Sequence, residues 1–232
     1  MKDARDALAE GYGHGTVCIA DTQTGGRGRI SGRRWEDEGK GSLLFTLILS
    51  KESVDVSYPL TQLLALALCI RLEEGFGLTP GIKWPNDVFV NGGKIAGILV
   101  ETDGDYYLAG MGVNIQQTSF SGHFRHPAVS LAQVLSSMEQ TPAVSLSPSR
   151  ELMPLLEVIR KLLSGNPGIR EIENRLTGLN RPVSLSIGDP ARREILQGFI
   201  AGLQDDGALL VRSEDKILTA VYSGEIEALE SR

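Results

Sequence analysis

Thr22–Trp35 reads TQTGGRGRISGRRW, with four arginines and four glycines in fourteen residues. Glycine lets backbone N–H groups come close to a ligand, and arginine offers forked donors that match carboxylate or phosphate. Gly25, Gly26 and Gly28, with Arg27 and Arg29, therefore read as an anion-binding loop. It is not a P-loop, since GxxxxGK[ST] is absent, and it is not a dinucleotide fingerprint, since it leads to a strand and not a helix. A solvated basic loop is the plain alternative. A nucleic-acid patch conflicts with the acidity of the chain and with the lack of interleaved aromatic residues other than Trp35.

A second segment, IKWPNDVFVNGGKIAGILVE (Ile82 to Glu101), brings a different set of groups together. Pro85 pushes Trp84 out of helical geometry. Asn86 and Asp87 then place an amide and a carboxylate on a tight corner, with Lys83 before it and Lys94 just inside the next strand. Two lysines, a carboxylate and an amide around one hairpin make a phosphate and metal site, or else an ordinary charged surface turn. Gly97 allows close packing against its strand. A third segment, AGMGVNI (Ala109 to Ile115), places two glycines before Asn114, whose amide is able to read a purine edge.

These segments need a frame. Residues 2–10 suit a short helix, and TVCIA (16–20) a strand. SLLFTLIL (42–49) is a near-continuous apolar run, as expected of a buried central strand. From Pro59 to Gly75 leucine and alanine recur at helical spacing, and Gly75 and Gly77 stop the helix. Asn91-Gly92 and Asp103-Gly104 mark tight hairpin turns. Helices are expected at 128–138, from Ser147-Pro148 to about 163, and near 168–177. After Asn180 five short strands separated by turns read as a small all-β barrel. The expected fold class is thus α+β, a mixed sheet with helices over residues 1–180, followed by a small barrel over 181–232.

The 232 residues suit one large or two small domains. A net charge of -6 and a pI near 5.2 argue against a general role on nucleic acid or a membrane surface. Cys18 and Cys69 each sit in an apolar run without a CxxC partner, as reduced core residues of a cytoplasmic protein would. The N-terminus lacks the apolar core of a signal peptide, and the run Leu63–Ile70 is far short of a membrane span. His123 and His126 read as loop residues and not as a metal site, His14 as part of a turn, and Glu36-Asp37-Glu38 as a solvated face.

In combination the segments are specific. GRGRxxGRxW, KWPND, KxxGILVE and GxGVN, in this order, resemble the biotin protein ligases, and NRPVSLSIGD…GFIAGLQDDGALLV…GEIEAL resembles the SH3-like barrel that ends them. The resemblance covers nearly the whole chain. It implies a catalytic domain like that of class II aminoacyl-tRNA synthetases and biotin/lipoate ligases. It also implies a two-step reaction. The biotin carboxylate attacks the α-phosphate of ATP to give biotinyl-5′-AMP and pyrophosphate, and a carrier-domain lysine then attacks that anhydride, releasing AMP. Carried over, Gln23, Gly26, Arg27, Gly28 and Arg29 contact biotin and the adenylate phosphate. Arg33 and Lys83 lie on ATP phosphates, Trp35 packs over the adenylate, and Asn114 reads adenine. Lys94 bridges the biotin carboxyl and the α-phosphate. Asp87 serves Mg²⁺ or the incoming lysine, and Asn86 holds the corner beside ATP. The implied partner is a biotin carboxyl carrier protein; a homodimer is compatible, since the family includes monomers and dimers.

Two departures bear on this. The family's Ser-Thr pair before the first helix is absent, Met1 falling on the position after it, so a trimmed start or weaker biotin binding is expected. The loop is one residue longer than the GRGRxGR form, with little effect expected. No helix-turn-helix precedes the catalytic segments, so no repressor activity is expected. The rival readings are a lipoate ligase, whose glycine-rich run differs from GGRGR, and a non-catalytic biotin-binding protein that lacks the Ser-Thr segment.

Overall fold

The computed structural model describes residues 1–29, 35, 41–120, 126–139, 145–188 and 194–229. Arg33, His123 and Glu36–Glu38 lie outside these residues.

Six strands form one antiparallel sheet in the order β1-β2-β6-β5-β4-β3. They are β1 (Val17–Ala20), β2 (Ser42–Ser50), β3 (Gly81–Lys83), β4 (Asp87–Val90), β5 (Gly93–Asp103) and β6 (Tyr106–Asn114). The apolar run of β2 is buried along all but its last residue because both of its faces are covered. Leu43, Phe45, Leu47 and Leu49 face the main core, whereas Ile48 packs with Ala4 and Leu108 beneath α1 (Lys2–Ala9).

The main core is closed by α2 (Leu60–Phe76) and α4 (Pro148–Gly165), which pack on each other and on one face of the sheet. Ten of the 17 residues of α2 are buried, so it is a core helix with almost no polar side. It ends at Gly77, whose φ of +65° turns the chain while its N–H caps the Leu72 and Glu73 carbonyls. Ser147 caps α4 as its position before Pro148 predicts.

Two helices are shorter than the spacing suggests, for one reason. Strand-like pairing captures their ends. Residues 128–130 are not helical, because Ala128 bridges to Lys94 and Ser130 caps α3 (Leu131–Ser137) through a reciprocal bond with Gln133. α5 (Ile169–Glu173) stops early because Leu176 bridges to Ile82 of β3. The strand β3 itself, three residues long, was not foreseen.

The C-terminal strands β7 (Pro182–Ile187), β8 (Glu194–Leu203), β9 (Leu209–Arg212), β10 (Leu218–Val221) and β11 (Gly224–Leu229) form a second antiparallel sheet, ordered β10-β9-β8-β7-β11. Among the described residues no ladder joins the outer strands β10 and β11, so the five expected strands form an open sheet. Its inner side chains, including Leu185, Ile200 and Leu209, belong to the same apolar cluster as α2. The junction is polar at one point: the Gly207 carbonyl accepts from Gln62 Nε2 at 2.8 Å and from Trp84 Nε1 at 3.1 Å. Beside it, Arg175 makes a two-pronged contact with Glu73 at 2.7 Å, and Glu173 accepts from the Leu203 N–H. No helix among the described residues is long and apolar enough to cross a membrane.

Candidate active site

Directly opposed residues of an antiparallel pair share a face. One row of opposed residues crosses all six strands of the large sheet. Lys83 faces Asp87, Asp87 faces Gly97, Gly97 faces Gly112, Gly112 faces Leu44, and Leu44 faces Ala20. A parallel row runs Leu99, Gly110, Thr46, Cys18. The face that carries these rows is opposite α2 and α4, and α1 covers only its far end. A cleft of about 840 Å³ remains over it, within the usual range for small-molecule sites.

Lys94 reaches this cleft through an irregularity. It lies three residues from Gly97, so regular alternation would turn the two to opposite faces. The β4–β5 register slips by one: Val88 faces Ala96, but Phe89 faces Lys94, leaving Ile95 as an extra residue. Ile95 and Ala96 are then buried in succession and Lys94 turns into the cleft, a common use of a bulge beside a site. The bulged strand is held from outside. Lys94 N–H donates to Pro127 O at 2.7 Å, and Val129 N–H donates to Lys94 O at 3.0 Å. Lys94 Nζ lies 2.8 Å from Asp87 Oδ1. Asn86 fixes the corner by a reciprocal pair, its Nδ2 donating to Ile98 O at 2.9 Å and its carbonyl accepting from Ile98 N–H at 3.0 Å. Trp84, before a cis Pro85, turns away into the junction with the second sheet.

The middle of the floor has no side chains. Gly97, Gly110 and Gly112 are neighbours there, and the Trp35 indole lies on it. A Cβ at Gly112 would come 2.7 Å from Trp35 Cε2, and one at Gly97 3.0 Å from Cζ3. A Cβ at Gly110 would come 2.8 Å from Met1 Cε. Lys94 Nζ sits 5.8 Å from the centroid of the indole. Gly26 is buried against the Trp35 carbonyl and Gln23 Oε1, which leaves no room for a side chain and explains the second glycine of GGRGR.

The loop above is tied down at two points. Arg27 reaches Glu101 at 3.3 Å, and Glu101 also takes Arg5 at 2.5 Å. Arg29 donates to the Gly224 carbonyl at the start of β11, and Glu225 and Ile226 of β11 line the cleft too. The second sheet therefore supplies a wall of the site.

Lys83, Asp87, Lys94, Gln23, Arg27, Gly28, Arg29, Trp35 and Asn86 all border the cleft. Asn114 does not: it is 4% exposed, and its Nδ2 donates to Val129 O at 3.1 Å and Lys94 O at 3.4 Å, behind Lys94. Arg33 falls outside the described residues. Sequence reasoning missed His126, Glu101 and the β11 wall. Glu101 ends the ILVE run and was readable as a charge on a strand. His126 and β11 arrive through tertiary packing, which no local pattern announces. His14 is occupied structurally, its Nδ1 accepting from Ser50 N–H. Among the described residues no three acidic, His or Cys side chains cluster as a metal site.

Residues 5–116 match the biotin/lipoate A/B protein ligase family. The chain is 30% identical over 239 residues to the bifunctional ligase/repressor BirA of Bacillus subtilis, covering 98% of this chain and 70% of that protein. It is 29% identical over 220 residues to the biotin–[acetyl-CoA-carboxylase] ligase of Paracoccus denitrificans, covering 88% and 87%. Its fold superposes on the biotin protein ligase of Aquifex aeolicus in complex with biotin and ATP with a TM-score of 0.77 and 26% identity, covering 95% and 91%.

Proposed function

The chain belongs to the biotin/lipoate A/B protein ligase family, and from that premise we propose that it joins biotin to a carrier-protein lysine at the expense of ATP. The observation that carries this reading is the row Lys83–Asp87–Gly97–Gly112, with Lys94 brought into line by the bulge.

The first step must bring a carboxylate against a triphosphate. Two unit charges about 4 Å apart repel by about 4 kcal/mol at an effective dielectric of ~20. Lys94, Arg27, Arg29 and Lys83 offset that repulsion from fixed positions. The side-chain-free floor of Gly97, Gly110 and Gly112, on which the Trp35 indole lies in this structure, offers room for the fused rings of biotin once the indole lifts off it. Gln23, Arg27 and Gly28 border the cleft and bind the acid, with Gly26 packed behind them. Lys94 stands where the carboxylate oxygen approaches phosphorus and stabilises the charge developing there. Lys83 and Arg33 hold the departing phosphates, and Trp35 covers the adenylate, excluding water from the anhydride. Asn114, buried behind Lys94, braces that strand and is not assigned to adenine.

Mg²⁺ would accompany the triphosphate. A single carboxylate, Asp87, suits an ion that keeps phosphate and water as its other ligands, and it is the only acidic group in the row. The ion supplies further neutralisation of the phosphates. The alternative role for Asp87 is to orient the incoming acceptor amine. The acceptor is a biotin carboxyl carrier domain of a carboxylase, met in the cytoplasm where ATP is available. Residues 1–180 form the catalytic domain and 181–232 an SH3-like domain that lends β11 to the site.

The test is biotin-dependent exchange of pyrophosphate into ATP, beside lipoate and octanoate, with Lys94→Ala as the control. Exchange with biotin alone supports the reading. Exchange with lipoate and not biotin moves the chain to the sister activity, and no exchange with any acid favours a binding protein.

A further inference from the structure

His126 lies in the cleft although its sequence context, between Arg125 and Pro127, carries no motif. Its Nε2 meets the ammonium of Lys83, a lysine only 7% exposed. Its ring stands edge-on to Phe89, with centroids 5.7 Å apart and planes at 76°. The Lys83 ammonium lies 5.7 Å from that same Phe89 ring. The backbone beside His126 is fixed as well, because Pro127 and Val129 bond both sides of Lys94. The imidazole is thus gripped by Phe89 on one side and registered to the catalytic strand on the other.

A buried ammonium needs acceptors to hold its charge and direction. Asp87 opposes Lys83 across the β3–β4 ladder and lies 2.8 Å from Lys94. A neutral imidazole accepting at Nε2 carries its proton on Nδ1, and it directs the ammonium without cancelling its charge. A carboxylate in that place would neutralise Lys83 and repel phosphate. We infer that His126 is the positioning residue for Lys83, aiming the ammonium at the nucleotide's phosphates and so setting affinity for ATP and not for biotin. The inference rests on the ligase reading and assigns a determinant of its nucleotide subsite.

The experiment titrates α,β-methylene-ATP into biotin-saturated chain by calorimetry, for the unmutated protein, His126→Ala, His126→Gln, Lys83→Met and the double variant Lys83→Met/His126→Ala. Biotin affinity and melting temperature are recorded for each, and exchange kinetics separate KM for ATP from kcat. Loss of a hydrogen bond to a charged group corresponds to roughly a tenfold loss. His126→Ala is expected to weaken the nucleotide about tenfold and leave biotin affinity within about twofold. His126→Gln, which keeps an acceptor, recovers most of the loss, and the double variant is no worse than Lys83→Met. Unchanged nucleotide affinity in His126→Ala, an equal loss of biotin affinity, no recovery in His126→Gln, or additive losses in the double variant would each overturn the inference while leaving the ligase reading intact. Absence of biotin-dependent exchange in the unmutated chain would overturn both.

Discussion

Gly97 and Ile98 are consecutive on β5, and Met111 and Gly112 consecutive on β6, yet each pair is divided between two tasks. Ile98 and Met111 point under α2 and α4 and are almost wholly buried. Gly97 and Gly112 point the other way and present bare backbone to the cleft. One sheet thus separates stability from binding by the two-residue alternation of its strands. The core face is filled with apolar side chains, whereas the other face is bare along Gly97, Gly110 and Gly112.

Substitutions on the two faces should separate in the same way. Lys94→Ala, on the cleft face, removes the cation proposed to meet the reacting carboxylate and should lower exchange about a thousandfold, with the melting temperature nearly unchanged. A rate within tenfold of the unmutated chain would break the assignment of that face to chemistry. Ile98→Ala, one residue from Gly97, should cost about 2–5 kcal/mol in denaturant unfolding, while biotin affinity stays within about twofold. Gly112→Val fills the floor and should weaken biotin by up to about a hundredfold, the scale of overpacking, with little effect on unfolding. If Ile98→Ala abolished binding and Gly112→Val abolished folding, the division would be refuted.

The smallest effect is chemical. Burial pushes both thiols upward from the ordinary cysteine value, Cys69 much further than Cys18. The thiolate is the reactive form, so near neutral pH both should label more slowly than a free thiol, and labelling should rise with pH. Cys18 shares the cleft face with Thr46, so biotin should slow its labelling further. Cys69, within α2, should react only on unfolding. Mass analysis of alkylated protein with and without biotin would sort the two; equal protection of both would blur the distinction between faces.

Much of this was legible in the sequence. The apolar run of β2, the helical spacing of α2, the Asn91-Gly92 turn and the Ser147-Pro148 start all express local preferences that the structure keeps. The residues of the cleft were legible as types but not as geometry. KxxG places Lys94 and Gly97 at an odd spacing, and only the extra residue Ile95 reconciles them on one face. A bulge depends on what the neighbouring strand does, so it has no local signature. The shortened α3 and α5 and the short β3 share that cause: bridges Lys94–Ala128 and Ile82–Leu176 join residues far apart in the chain. His126 was read as an unremarkable loop residue because what gives it a role is Lys83, forty-three positions away.

The chain has two tryptophans, and they stand at different places. Trp35 lies on the glycine floor beside the Lys94 ammonium, and Trp84 is 3% exposed and bonded to Gly207 across the junction of the two sheets. Indole emission depends on local polarity and on nearby charge, so the two indoles report on separate places. Removing Trp84 as phenylalanine leaves a signal that follows occupancy of the cleft. Removing Trp35 in the same way leaves one that reports on the contact between the sheets. Ligand capture and the environment of that contact can then be followed separately in the two variants by stopped flow without a dye.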